Sequence, residues 1–174
     1  MNSQYSIRRI QPNEGELYRD LRLESLADAP EAFASTFESA LERTLESWTE
    51  QADSTASGAQ RNTMLGFYQD IPAGLAALYQ DPDRADMAHL IQVWVHPDHR
   101  GTGLATTLIS QLFSWAKDCG YRQISTDVAV ENTRAIAFYQ KLEFQRTGTI
   151  RTLGSGSAQK EVQALEIHLQ EGAA

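Results

Sequence analysis

The chain has 174 residues, 41% of them hydrophobic and 22% charged, which is typical of a globular protein with one sizeable core. Its net charge of -8 argues against binding to nucleic-acid phosphates, which requires clustered Lys and Arg. No apolar run approaches the roughly 18 residues of a membrane span and no signal peptide is visible, so we expect one cytoplasmic domain over residues 1–174, with no membrane partner.

The acidic residues are concentrated at the start of the chain. Residues 1–60 hold 5 Lys and Arg against 11 Asp and Glu, whereas the rest of the chain holds 10 against 12. If this region lines a binding site, its field favours a cationic ligand such as an amine. Solvated helix faces account for the same imbalance, so both interpretations stay open.

One strand and two helices are predicted in the first third. Residues 5–11 alternate in polarity as a strand does, and a helix follows until Ala29 and Pro30 interrupt it. Its apolar residues recur at helical spacing: Leu17, Leu21 and Leu26. The same spacing predicts one further helix, on Leu41, Leu45 and Trp48. A polar loop is expected to follow over residues 53–61.

The middle of the chain predicts three strands. Residues 62–69 and 74–80 flank the turn signal DIPAG, residues 70–74, and predict a hairpin. Residues 87–95 are largely apolar and β-branched, which is typical of a strand buried on both faces.

The last part predicts a crossover and a final pair of strands. The loop HPDHRGTG leads into a helix whose apolar stripe runs from Leu104 to Cys119. Residues 123–130 predict a strand, and the order strand, helix, strand favours a parallel pair. A short helix from Asn132 and strands around residues 144–153 and 162–169 complete a mixed α/β domain.

The glycine loop at residues 100–105 has the composition of an anion-binding loop, and three interpretations compete. A nucleotide P-loop requires a Lys after its second glycine, and none is present. A dinucleotide loop requires a third small residue where Thr106 stands. Asp127 has the spacing of a ribose ligand, but it lies in the middle of a predicted strand.

The third interpretation is the pattern Q/R-x-x-G-x-G/A, which residues 100–105 match at every specified position. A strand ending in V-x-V precedes the loop, and a downstream pattern N-x-x-A-x-x-x-Y-x-x-x-x-F is met by Asn132, Ala135, Tyr139 and Phe144. In this order the chain resembles the Gcn5-related N-acetyltransferase (GNAT) superfamily over residues 87–144. The resemblance implies the GNAT fold, a mostly antiparallel mixed sheet with a splayed parallel strand pair and flanking helices.

The resemblance also implies acetyl-CoA as cosubstrate. Glycines at a helix N-terminus suit a pyrophosphate, which coenzyme A carries. By resemblance, the residues expected to bind it are Val93, Trp94, Val95, Arg100, Gly101, Thr102, Gly103, Leu104, Ala105, Thr106, Asn132, Ala135 and Tyr139. Asn132 can cap its helix, touch the pantetheine arm, or do both. No metal is expected.

Two residues are candidates for the chemistry. Tyr139 falls at the general-acid position of the family, although it can equally be one more aromatic on a buried helix face. His89 falls where histone-acetylating members have a glutamate base, and imidazole exchanges protons near neutral pH. A structural histidine, with deprotonation through ordered water, is the alternative; Asp86 and Gln92 are weaker candidates. Cys119 is predicted to be a buried side chain at the far end of the helix from the loop, so transfer without a covalent enzyme intermediate is expected.

We therefore expect an acetyl-CoA-dependent N-acetyltransferase that acts on a primary amine of a small molecule or peptide, with a homodimer among the expected assemblies. The competing hypothesis is a non-catalytic acyl-CoA-binding sensor or interaction module. Residues 26–37 and the loop around Gly154 are expected to shape the acceptor pocket. They carry no motif that distinguishes a polyamine, an aminoglycoside-like drug, an amino acid or a protein N-terminus. Glu143 stands where the family usually has Gly at a left-handed helix end.

Overall fold

In the computed structural model, which describes residues 4–154 and 159–169, one mixed sheet forms the centre of the molecule. Its strands are β1 (Tyr5–Arg9), β2 (Arg61–Tyr68), β3 (Ile71–Gln80), β4 (Met87–Val95), β5 (Gln123–Ala129), β6 (Gln145–Leu153) and β7 (Lys160–His168). They lie in the order β1-β2-β3-β4-β5-β7-β6. Neighbours are antiparallel except β4 and β5, which are parallel, so the predicted parallel pair is confirmed.

Helices cover both faces of the sheet, because side chains of each strand alternate between the two faces. The helices are α1 (Gly15–Asp28), α2 (Phe37–Leu41), α3 (Leu45–Ala56), α4 (Leu104–Asp118) and α5 (Thr133–Lys141). α4 buries Leu108 and Leu112 completely on one face, while α1 and α3 bury Leu21 and Trp48 on the other. Each fully buried leucine contributes ~2 kcal/mol of hydrophobic stabilisation. In the described part of the chain, no helix is long and apolar enough to cross a membrane.

The predicted hairpin forms, but its turn is shorter than expected. Gln69 and Asp70 alone make the turn, both with positive φ (48° and 68°), as a two-residue hairpin turn requires. β3 therefore begins at Ile71 rather than at Gly74. Pro72 is accommodated because it lies opposite Phe67, where the ladder is irregular.

The single helix predicted on Leu41, Leu45 and Trp48 is wrong, because α2 and α3 are separate helices. Thr44 caps the second one, with its side chain accepting a hydrogen bond from Ser47 N at 3.2 Å. Leu41 and Leu45 are 61% and 48% exposed, so their spacing reflects no shared buried face. The predicted loop 53–61 is also shorter, since α3 continues to Ala56 with Thr55 buried.

The strand predicted to be buried on both faces, β4, is buried only in part. Its ends and Leu90 are buried, but Ile91 is 36% exposed and the next two residues, Gln92 and Val93, are half-buried. The reason is that β5 accompanies only its first three residues, as described below.

The turn after α5 has the left-handed conformation that the family pattern predicts. Glu143 has φ 69°, and it lets Phe144 N donate to Tyr139 O at 3.1 Å. Phe144 is thereby placed in the core, where it is 2% exposed. A residue with a Cβ is strained in this conformation by roughly 1–2 kcal/mol.

Replacing Glu143 with Gly is expected to stabilise the protein. Relief of the strain outweighs the greater freedom of glycine in the unfolded chain, for a net gain of about 0.5–1 kcal/mol in the free energy of unfolding. Urea denaturation measures it. Glu143→Ala is the matched control, because it removes the same charge and keeps the Cβ; a Gly variant no more stable than the Ala variant would contradict the assignment.

Candidate active site

The site starts where the two parallel strands separate. β4 and β5 are paired only at Met87–Gln123, Ala88–Ile124 and His89–Ser125, although both strands continue. At the point of separation, Thr126 Oγ1 donates a hydrogen bond to Leu90 O at 2.9 Å. Beyond it, a gap opens between the strands towards their carboxyl ends.

A bulge in β4 turns its backbone into this gap. The ladder to β3 pairs Ile91 with Ala77 and Trp94 with Leu75, so Gln92 and Val93 together face only Ala76. Gln92 has φ 57°, and its side chain accepts a hydrogen bond from the hydroxyl of Tyr18 at 2.8 Å. A bulge leaves backbone groups without ladder partners, so β4 offers polar groups to a ligand in the gap.

A cavity of about 420 Å³ occupies the gap. Its wall brings together Tyr139, His89 and Thr126, and it also includes Arg22 and residues 32–35 of the N-terminal region. Gln92 reaches this wall, whereas Asp86, the other weak base candidate, lies outside it. Of these two weak base candidates, only Gln92 is therefore placed to contact a ligand in the cavity.

The loop after β4 builds an anion site from its backbone. Gly101 and Gly103 have φ 78° and 89°, a conformation that strains any residue with a Cβ. Gly103 is the N-cap of α4, so the N–H groups of residues 104–106 have no acceptor within the helix. These N–H groups point out of the N-terminal end of α4, which is also the positive end of the helix dipole. Both features favour a phosphate at this position. Thr102 Oγ1 holds the turn by donating to His99 O at 2.7 Å.

Arg100 is tied into the protein rather than left free for a ligand. Its Nε donates to Val95 O at 3.1 Å, and its Nη2 forms an ion pair with Asp28 at the end of α1. The same Asp28 oxygen accepts a hydrogen bond from the Trp94 indole at 2.8 Å. Asp28 thus holds α1, β4 and the glycine loop together, a role that no motif in the sequence indicates.

A second cavity, of about 760 Å³, connects the loop to Tyr139. The predicted cofactor residues on its wall are Val93, Trp94, Val95, Arg100, Gly101, Gly103, Leu104, Ala105, Thr106, Asn132, Ala135 and Tyr139. Thr102 is not on this wall. The Trp94 side chain packs into the core on the opposite face of the sheet, so only its backbone can serve the cavity. Val93 and Tyr139 line both cavities, which places them at the junction.

Tyr139 lies in the last turns of α5. Its ring packs edge-on against Phe138 and Phe144 in the hydrophobic core. Tyr139 is therefore both an aromatic residue on the buried face of the helix and a residue of the cavity wall. Burial raises the pKa of Tyr139 to about 12, partly offset by a hydrogen bond with Thr126. The phenol therefore keeps its proton throughout the physiological pH range.

Asn132 begins α5 as its N-cap. Its side-chain Oδ1 accepts a hydrogen bond from Ala135 N at 3.0 Å, which confirms the capping role. Asn132 also lines both cavities, so the same residue orients the helix that carries Tyr139 and borders the proposed ligand channel.

His89 forms a pair with Asp81, which lies in the connection between β3 and β4 and for which no role was predicted. Its Nε2 donates to Asp81 Oδ2 at 2.5 Å, and this bond is the main cause that lowers the pKa of Asp81. Two backbone N–H groups, of Asp83 and Arg84, also donate to Asp81, both at 2.9 Å. With Nε2 protonated, Nδ1 of the neutral ring is the acceptor. The β3–β4 register, with Tyr79 opposite His89, is the signal that could have found Asp81.

The segment after α1, which belongs to the predicted acceptor segment 26–37, closes one side of the cavities. Phe33 lines both cavities already described and also a larger, adjoining one of about 1120 Å³. Lys160, from β7, holds this segment by donating to the carbonyl oxygens of Pro30 and Glu31 at 3.2 and 2.9 Å, and also to that of Phe33. Gly154 lies outside these walls, and residues 155–158 of the same loop lie outside the described residues.

The sequence matches acetyltransferases. The profile of the Acetyltransferase (GNAT) family matches residues 22–144. The chain is 26% identical over 135 residues to the L-amino acid N-acyltransferase MnaT of Escherichia coli K12, covering 71% of this chain and 78% of MnaT. It is 35% identical over 69 residues to the uncharacterized N-acetyltransferase MJ1207 of Methanocaldococcus jannaschii, a match that spans 40% of this chain and 30% of MJ1207.

The fold matches as well. YncA of Salmonella typhimurium, solved with its cofactor acetyl-CoA, superposes with a TM-score of 0.79 at 17% identity, covering 99% of this chain and 98% of that one. Together with the family profile, this match confirms the predicted fold class.

The buried phenol predicts an alkaline loss of stability. Because the pKa of Tyr139 is raised from 10.0 to about 12 in the folded protein, the neutral form stabilises the fold below pH 10. This contribution is lost as pH rises from the unfolded pKa through the folded pKa, and amounts to about 3 kcal/mol. Unfolding free energies of the wild type and Tyr139→Phe are to be compared from pH 9 to pH 12. Parallel curves for the two proteins would contradict the burial of an ionisable group at this position.

Proposed function

The chain belongs to the acetyltransferase (GNAT) family, and on that premise we propose that it transfers the acetyl group of acetyl-CoA directly to a primary amine of a small molecule or peptide. The observation that carries the proposal is the channel that runs from the glycine loop to Tyr139 and His89 through two joined cavities. The coenzyme supplies an acyl group activated as a thioester. The relative MnaT bears the name of an amino acid acyltransferase, which supports a small amine as the acceptor.

The glycine loop is proposed to hold the pyrophosphate. Left-handed Gly101 and Gly103 expose consecutive N–H groups, and the start of α4 adds those of its first turn. The Arg100 guanidinium is paired with Asp28. In this proposal Arg100 therefore shapes the loop and contacts the pyrophosphate through its backbone, not through its side-chain charge. The bulged edge of β4, Val93 to Val95, is proposed to border the pantetheine arm.

The bulge also suits stabilisation of the developing oxyanion. Backbone N–H groups near Val93 face a gap in which no strand pairs with them. Donors fixed by the sheet need no reorganisation when charge develops on the carbonyl oxygen, which is the condition for electrostatic catalysis.

Tyr139 is proposed to donate a proton to the departing thiolate. The phenol is protonated at working pH, and it lies where the two cavities meet. The proton that it gives up is restored by the amine as the product forms.

His89 is proposed to take the proton from the attacking ammonium, directly or through one water. Asp81 fixes the ring with Nδ1 as acceptor and stabilises the imidazolium that forms, as the acid of a catalytic triad does. Asp81 is a positioning residue in this scheme.

Direct transfer is favoured over an acyl-cysteine route. Cys119 follows the last residue of α4, so about 22 Å of helix separates it from the glycine loop. Burial raises the pKa of its thiol, which disfavours the thiolate that a nucleophile needs.

A panel of primary amines tests the proposal. Acetyl-CoA and each amine are incubated with the protein, and thiol release is followed with a chromogenic disulfide. We expect amine-dependent release together with acetyl-CoA binding by calorimetry. Binding without release with any amine would identify the competing acyl-CoA-binding module, and absence of both would overturn the proposal.

The variant Tyr139→Phe is expected to lower kcat by about 100-fold or more while leaving the Kd for acetyl-CoA unchanged, because it removes a general acid and keeps the ring. Tyr121→Phe is the matched control, since its hydroxyl donates to Ala59 O at 2.8 Å away from both cavities. A wild-type kcat in Tyr139→Phe would show that this phenol transfers no proton.

The variant His89→Gln distinguishes the two routes of deprotonation. If His89 is the base, kcat/KM falls by about 100-fold, and Asp81→Asn lowers it by a smaller factor. His168→Gln, an exposed histidine on β7, is the control. An unchanged kcat/KM in His89→Gln would assign the proton to ordered water and the histidine to a structural role.

A further inference from the structure

Arg22 is a buried cation without a counter-charge. It lies on α1 and is 4% exposed, with Nη1 donating to Ser25 Oγ at 3.0 Å and the guanidinium 4.7 Å from the centre of the Phe33 ring. Within residues 4–154 and 159–169, no carboxylate forms an ion pair with it. A guanidinium has five donors and stays charged, so most of its hydrogen-bonding capacity is unused.

The acids near Arg22 are committed to other partners. Asp127, on the wall of the same cavity, accepts two hydrogen bonds from Arg151 Nη2, at 2.7 and 2.8 Å. Asp81 is bonded to His89. Burial lowers the pKa of Arg22 and no carboxylate opposes that shift, in contrast to Arg8, whose pKa is raised by Glu14.

The unpaired cation faces the acceptor side of the channel. Arg22 and Phe33 line the 420 Å³ cavity that also contains His89 and Tyr139. A cavity of this size takes a small molecule rather than a polymer. Isolated buried charges are costly and are normally paired, so the guanidinium of Arg22 favours a negatively charged group in this cavity.

We propose that Arg22 binds a carboxylate of the acceptor, so that the substrate is an amino acid or another small amine bearing a carboxylate. The inference rests on the proposed function and specifies its substrate class. The planar guanidinium fork matches a carboxylate with two parallel hydrogen bonds, for which Arg is better suited than Lys. Polycations such as polyamines and aminoglycosides are disfavoured, because they would bring further positive charge against Arg22.

The acidic N-terminal region agrees with this assignment. Two exposed glutamates of this region, Glu31 and Glu38, line the larger cavity that adjoins the channel. Their field attracts the ammonium group of an acceptor, while Arg22 meets its carboxylate further in. The cationic preference expected from the charge imbalance thus describes the entrance, and the inner wall adds a requirement for an anionic group.

A matched substrate series in the wild-type protein tests the carboxylate directly. Each standard amino acid is compared with its carboxamide and with the amine that lacks the carboxyl group altogether. For the best amino acid, we expect kcat/KM to exceed that of the amide and of the decarboxylated amine by about 100-fold or more, since each leaves the buried Arg22 unpaired. Equal rates for all three compounds would overturn the inference and leave the proposed function standing.

Variants then assign the preference to Arg22. Arg22→Gln is expected to lower kcat/KM for the amino acid by about 100-fold through KM, to leave the amide unchanged, and to preserve acetyl-CoA binding. Arg22→Lys should restore part of the preference. Arg43→Gln is the control, because Arg43 also stacks on an aromatic ring, 3.7 Å from the centre of Trp48, but lies on no wall of the channel. An equal loss for acid and amide in Arg22→Gln would mean a purely structural role.

The two proposals fail in different ways. Absence of turnover with every amine, together with absence of acetyl-CoA binding, overturns the proposed function. Turnover without preference for a carboxylate overturns only the role of Arg22. If Arg22→Gln does not fold, the wild-type series and Arg22→Lys still decide, and calorimetry with the N-acetyl amino acid against its amide gives a readout that does not depend on turnover.

Discussion

The early end of pairing between β4 and β5 is the constraint on which the rest of the structure depends. After His89 and Ser125 the two strands share no ladder, and the bulge at Gln92 adds to the separation. Unpaired backbone in a protein interior is costly unless something satisfies it. At the point where the strands separate, the Thr126 hydroxyl satisfies Leu90 O. Beyond this point, the backbone groups of β4 and β5 that face the gap have no partner strand there and can bind a ligand. If β4 and β5 stayed paired, the sheet would be more stable at this point, but the cavity between the two strands would not exist.

Two charged residues hold the two sides of that opening in place. Asp28 joins the end of α1 to Trp94 and Arg100, and so fixes the glycine loop relative to β4. Lys160 donates hydrogen bonds to three carbonyl groups of the segment that carries Phe33. Both contacts join parts of the chain that are far apart in sequence. They explain why a channel lined by short loops can keep a defined shape.

The sequence predicted what depends on local pattern and missed what depends on distant partners. The strands around the hairpin, the parallel pair and the Asn132 cap follow from periodicity and from short-range chemistry. The break at Thr44 was missed, because Leu41 and Leu45 happen to keep helical spacing across it. Asp28 and Lys160 carry no motif, because each of them bonds to residues that are far away in the sequence. His89 was proposed as the base from its place before the loop, and its bond to Asp81 becomes visible only once the β3–β4 register is known.

The position of β7 has a consequence for how the chain reaches this structure. β7 inserts between β5 and β6, although it follows both in sequence, so the edge of β5 has no antiparallel partner until residues 160–168 arrive. Such late, non-local pairing is slow to form and leaves an exposed strand edge, which is prone to aggregation. Lys160 arrives with the same strand. During synthesis the side of the channel formed by the glycine loop can therefore assemble first, and the side that carries Phe33 is fixed in the step that also protects the sheet.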